Sequence, residues 1–253
     1  MPNELTREYA KALYEFAVAV GRGPDTPYAI RLFEKLTEIG DPFYTPFALT
    51  FLDANYRKLG LNDLELRTMK RATLLPNDQQ ILLSPGWLAT CYQKTGDFKG
   101  ARDVLAQILS LSPHEPYAIS ALAELSLLEG NSDQTEAYAT ELQQRAEPQY
   151  QILGRIFRAF ALALRNRHDD AAKELSWVGQ FLISSASIPP GTWDYRDVQP
   201  VVAKTGPNAR AFGLLLDTLM GKISLQEFTP AWAEITPTTQ GDRKMGGMLS
   251  DMA

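Results

Sequence analysis

Gly96 and Gly130 interrupt two otherwise helical runs at the same phase, 34 residues apart, and no other feature restricts the fold of this chain as strongly. In CYQKTGDFKGARDVLAQILSLSP, residues 91–113, a helix that opens at Ser84-Pro85 is expected to run to about Thr95. Serine serves as N-cap and proline fits the first turn. Gly96 then supplies a left-handed C-cap, because a residue without Cβ accepts positive φ at little cost. A second helix from near Asp97 presents Phe98, Ala101, Leu105 and Ile108 at steps of three, four and three, which is one face of an α-helix. Gly100 falls off that stripe in the first turn, and Pro113 ends the helix. The 34-residue shift carries Ala89 to Ala123, Ala101 to Thr135 and Ile108 to Leu142, so small residues meet small ones and apolar ones meet apolar ones.

A repeat of about 34 residues built from two antiparallel helices is the tetratricopeptide pattern. The chain resembles that family through Leu88, Ala89, Tyr92, Gly96, Phe98, Ala101 and Pro113, with Trp87 off the usual aromatic site. A further unit follows from Pro148, with Leu153, Ile156, Phe157 and Phe160 as its buried face. Its turn, RNRHDD, holds two extra residues before Ala171, Leu175 and Val178 resume the stripe, and His168 takes the place of Phe98. Upstream, Tyr56 and Gly60 repeat Tyr92 and Gly96 at a distance of 36, with Asp53 and Glu65 where small residues are usual. Residues 5–20 and 26–39 read as another helix pair, broken by GRGPDTP. The resemblance implies an all-α, right-handed superhelical solenoid of helix hairpins over residues 1–184, its best units at 82–183. After Ser184 the breaker-rich SSASIPPGTW changes the pattern. Residues 194–204 read as a short helix interrupted by Pro200, and 208–220 and 225–235 as amphipathic helices. Residues 185–236 are therefore read as a helical cap over the last repeat, and 237–253 as a flexible tail. In that tail Met245, Met248, Leu249 and Met252 carry the spacing of a docking helix, opposed by Gly246 and Gly247.

A formal charge of −5 in 253 residues argues against a nucleic-acid binder, which needs many phosphate-neutralising cations. Charged residues through the first 20 positions do not fit a signal peptide, and no run reaches the roughly 18 apolar residues of a membrane span. A cytoplasmic protein without membrane insertion is expected. One cysteine, Cys91, and two histidines match no metal-ligand spacing, so no metal or cofactor is expected. His168 reads as packing for a hairpin turn rather than a base, and His114 as an exposed turn residue between two prolines. Cys91 reads as a small buried hydrophobe. Asp169 and Asp170 suit a helix N-terminus better than a catalytic pair. No nucleotide-binding, nucleophile-elbow or zinc-protease motif occurs, and the chain is not expected to be an enzyme.

The tetratricopeptide family binds extended peptides or partner helices in a concave groove lined by the first helices of successive repeats. Projection of that geometry puts Thr90 and Gln93 beside Tyr117, Glu124 and Leu127, followed by Gln151, Gly154 and Arg158, with Arg155 at the rim. Arg155, Arg158 and Arg165 share one helix face, and no acidic residue lies between Glu147 and Asp169. Such a row is either a solvated face or a site for a carboxylate or phosphate, which guanidinium groups bind bidentately. The clamp by which some family members hold a chaperone C-terminus is missing, since Gly86, Thr90, Ala121 and Gln151 stand there. The resemblance thus implies protein–protein binding by an adaptor, assembly factor or chaperone, with a protein or peptide partner that can carry an anionic group. Homo-oligomer formation stays open. Two alternatives are a regulatory receptor for a small peptide or metabolite, and an enzyme or enzyme subunit with its site around Trp193, Asp194, Tyr195 and Arg196.

Overall fold

The computed structural model of the chain describes residues 4–23, 25–75, 85–189 and 193–235, and local sequence chemistry sets where its helices begin and end. Among the described residues there are thirteen α-helices and no strand. They are α1 (Glu4–Gly21), α2 (Thr26–Ile39), α3 (Tyr44–Lys58), α4 (Asn62–Ala72), α5 (Pro85–Lys94), α6 (Phe98–Leu111) and α7 (Pro116–Leu128). There follow α8 (Ser132–Gln143), α9 (Pro148–Leu164), α10 (His168–Ser185), α11 (Gln199–Val202), α12 (Ala209–Leu219) and α13 (Leu225–Ile235). Asp25, Asp97 and Asn131 cap helices, each accepting the backbone N–H three residues on.

The hairpin turns share one geometry. Gly60, Gly96 and Gly130 have φ of 69°, 78° and 76°. In each, the amide after the glycine donates to the carbonyl five residues back: Leu61 to Tyr56, Asp97 to Tyr92 and Asn131 to Ser126. This is the Schellman closure, which satisfies carbonyls that the helix end leaves open. A fourth copy closes α9, where Asn166 stands at φ 59° and Arg167 donates to Leu162. The expected lengthening of that turn does not occur. The extra residues lengthen the helix instead, 17 residues in α9 against 13 in α7, and asparagine does the glycine's work. Pro200 likewise starts α11 rather than interrupting it, since a first-turn proline lacks only an N–H that would be unpaired anyway.

The chain divides into two compact units, Met1–Ala118 and Ile119–Ala253, with the division inside α7. In the first unit α1 to α6 pack as sequence neighbours, each on the next. Its core includes Ala10, Ala17, Phe33, Leu36, Ala48 and Leu52, with Phe33 stacked on Phe51 at 3.9 Å between ring centroids. In the second unit α8 packs on α9 and α9 on α10, and α12 and α13 pack on α10 and on each other. Leu153, Ile156, Phe157 and Phe160 are buried as the stripe predicts, and Phe212 of α12 stacks on Phe160 at 4.0 Å. A side chain at Gly179 of α10 would meet the Trp232 indole at 2.2 Å, so α13 lies directly on that helix. The methionine pattern of the tail, and Ser84, lie outside the described residues.

Candidate functional site

The arginine row of α9 lies between two acidic helices of its own unit. Arg155 and Arg158 each donate to one oxygen of Glu174 on α10, both at 2.7 Å. Arg158 also reaches Glu136 of α8 at 3.2 Å. Arg165 pairs with the other Glu136 oxygen and with Asp133 at 2.8 Å. The Arg155 guanidinium lies 4.1 Å from the centre of the Trp177 ring. Glu174 is buried, and two guanidinium groups offset what its charge costs there. Burial alone would raise the Glu136 carboxyl, but hydrogen bonds and charge from Arg165 and Arg158 outweigh it and hold the group below its ordinary range. The row, its side chains 28%, 34% and 32% exposed, is therefore paired rather than free: it is an ion-pair clamp joining α8, α9 and α10.

Other groove residues projected from the sequence are also engaged within the fold. Glu124 and Leu127 are buried, and the Trp193 indole N–H donates to Glu124 at 2.6 Å. Gln151 donates to the Arg145 carbonyl at 2.7 Å. Gly154 faces α8, where a Cβ would stand 2.6 Å from the Ala139 carbonyl oxygen. In the first unit the Thr90 and Tyr117 hydroxyls lie 3.0 Å apart, Tyr117 donates to the Gly86 carbonyl, and Gln93 is half-buried. The projection placed Glu124 and Leu127 on an accessible face because helix phase alone cannot reveal a partner such as Trp193, 69 residues on.

Trp193, Asp194, Tyr195 and Arg196, the residues of the alternative enzyme reading, stand just before α11. Arg196 forks onto both oxygens of Asp194 at 2.9 Å, and Tyr195 is buried, its hydroxyl pKa pushed up by burial and then by the Glu124 charge. An open cleft of about 320 Å³ lies against Trp193, Asp194, Arg196 and Lys222. His168 packs by Gly206 and shares hydrogen bonds of 3.2 Å with Asn208. Lys173 and Arg167 both pair with Asp170, in the first turn of α10, and draw its carboxyl down to about 2. His114 is exposed.

A second ionic cluster lies in the first unit, from residues that sequence spacing did not connect. Asp53 of α3, Glu65 of α4 and Cys91 of α5 are 6%, 1% and 0% exposed. A carboxylate oxygen of each acid and the Cys91 sulfur all lie within 4.8 Å of one another. Arg57 pairs with Asp53 and donates to Glu65 at 3.1 Å, its guanidinium 4.0 Å from the centre of the Trp87 ring. Asp53 Oδ1 and Glu65 Oε2 are buried without a hydrogen-bond partner. Burial, then the Glu65 charge and the hydrogen-bonding contact of the thiol with that carboxylate, then the Asp53 charge, push the Cys91 thiol pKa up. Burial also raises Asp53, against the pull of Arg57. The signal was present in the repeat alignment, where the 36-residue shift puts Asp53 and Glu65 at the places of Ala89 and Ala101. No metal-ligand spacing links the three residues because three different helices deliver them.

No protein-family model matches the chain, and a search of curated proteins finds no match. Among the described residues no helix is long and apolar enough to cross a membrane.

Proposed function

We propose that the chain is a tetratricopeptide-like protein-binding module, an adaptor, assembly factor or chaperone that takes a helix or extended peptide of a partner protein. The recurrence of one hairpin at Gly60, Gly96, Gly130 and Asn166 supports the class, since repeats of this kind present ordered helix faces to partners. The observation that carries binding is α1, which is apolar on two faces and covered on one. Ala10, Leu13, Tyr14 and Ala17 pack inward. Leu5, Tyr9 and Phe16, at i, i+4 and i+11, form a second stripe that is 77%, 56% and 50% exposed. Exposed aromatic residues of this kind are typical anchors of protein interfaces, and Phe43 and Phe47 of the same unit extend the exposed apolar set.

Affinity capture from a source lysate with the full chain, paralleled by a Tyr9→Asp/Phe16→Asp variant, tests this reading. The expected result is a protein retained by the parent and lost by the variant, with an unchanged melting temperature. Retention by both, or a saturable thermal shift with small metabolites in place of a protein partner, would overturn it. Self-association lost in the variant would identify the partner as a second copy.

A further inference from the structure

The cluster in the first unit replaces two alanines of a hairpin interface with two carboxylates and then provides too little positive charge for them. Arg57 takes one oxygen of each acid. The remaining oxygens, Asp53 Oδ1 and Glu65 Oε2, are buried with no hydrogen-bond partner, on side chains only 8% and 1% exposed. An unsatisfied buried carboxylate oxygen is costly, and native proteins rarely keep two together. We propose that Asp53, Glu65 and Cys91 bind one divalent transition-metal ion, of which Zn²⁺ is the best fit, and that the ion fastens α3, α4 and α5 together.

Three features support this. Donor type is the first: two carboxylates and one thiolate form a mixed hard and soft set that suits Zn²⁺ and the spectroscopic substitute Co²⁺ better than Mg²⁺ or Ca²⁺, which take oxygen alone. The second is geometry. Zinc bonds of about 2.0–2.3 Å in a tetrahedron separate ligand atoms by about 3.3–3.8 Å. The three donors lie within 4.8 Å of one another, so small side-chain rotations bring them to those separations. The third is charge. With the thiol ionised, the three ligands carry three negative charges against the one positive charge of Arg57, and a dication closes the balance. Lys94, at the end of α5, adds a longer-range positive field to Asp53 and Cys91. Binding breaks the Cys91 S–H bond and forms the metal–sulfur bond, and the proton leaves to solvent. A fourth coordination position is left for water.

Metal analysis of the reduced full chain, followed by chelation and titration with Zn²⁺ and then Co²⁺, tests the site. The expected result is one equivalent bound, about one proton released, a raised melting temperature, and a sulfur-to-cobalt charge-transfer band in the near ultraviolet. Cys91→Ser, close in size to the parent, should fold, lose that band and weaken Zn²⁺ binding by more than about tenfold, the loss already usual for changes one shell further out. Glu65→Gln should weaken binding similarly. Substoichiometric uptake, a cobalt spectrum without the sulfur band, or unchanged affinity in Cys91→Ser would overturn the proposal. A metal-free chain that unfolds and refolds on adding Zn²⁺ would support the site as directly as the titration.

Discussion

Asn166 shows what the hairpin turn requires of a residue. It holds the left-handed conformation at the place where the other turns use glycine, and asparagine is the residue whose short polar side chain tolerates that region best. Gly96 provides the clean measurement, because a Cβ added there would meet no atom within 4 Å. Any cost of substitution is then conformational rather than steric. Gly96→Val should lose about 1–2 kcal/mol in urea unfolding and Gly96→Asn distinctly less. Equal losses would refute the shared turn geometry. Gly154→Ala sets the opposite case, since its φ is helical but its Cβ would press on the Ala139 carbonyl at 2.6 Å. Overpacking of that kind costs on the order of 1–3 kcal/mol, although alanine is the better helix former.

Helix α9 is the element whose role the structure changes most. Sequence phase alone placed its buried stripe, because a 3.6-residue period is a local property and Leu153, Ile156, Phe157 and Phe160 obey it. The partners of its arginines were not legible. They stand 16 to 32 positions away on α8 and α10, so the acid-free window around the row gave no sign of them. The same limit hid the Asp53, Glu65 and Cys91 cluster, visible only as two departures from a small-residue pattern. Since the row is a clamp, Arg158→Glu should lower stability by on the order of 3 kcal/mol by facing Glu174 with a like charge. The exchanged pair, Arg158→Glu with Glu174→Arg, should recover part of that loss, whereas equal melts for parent and single variant would return the row to a surface role. The pH dependence follows from Glu136. Its carboxyl is held below the ordinary 4.5, so its contribution is fully present above that pH and is lost as pH falls through the lowered folded value. Glu136→Gln should therefore flatten the acid limb of the stability curve and leave the slope near neutrality unchanged.

At the scale of the molecule the two compact units predict two cooperative blocks in amide exchange, divided within α7. A single protection level from α1 to α13 would contradict that division. Zn²⁺ should slow exchange in α3 to α5 and leave α9 and α10 unaffected. The ladder of neighbouring helices also governs how the chain emerges from the ribosome. Pairs such as α1 with α2 and α3 with α4 need only residues already synthesised, and contacts this local favour fast folding. The bond from Trp193 to Glu124 is different, because its donor is made 69 residues after its acceptor. A nascent chain stalled before residue 193 would therefore lack the indole hydrogen bond that Glu124 accepts in the finished chain.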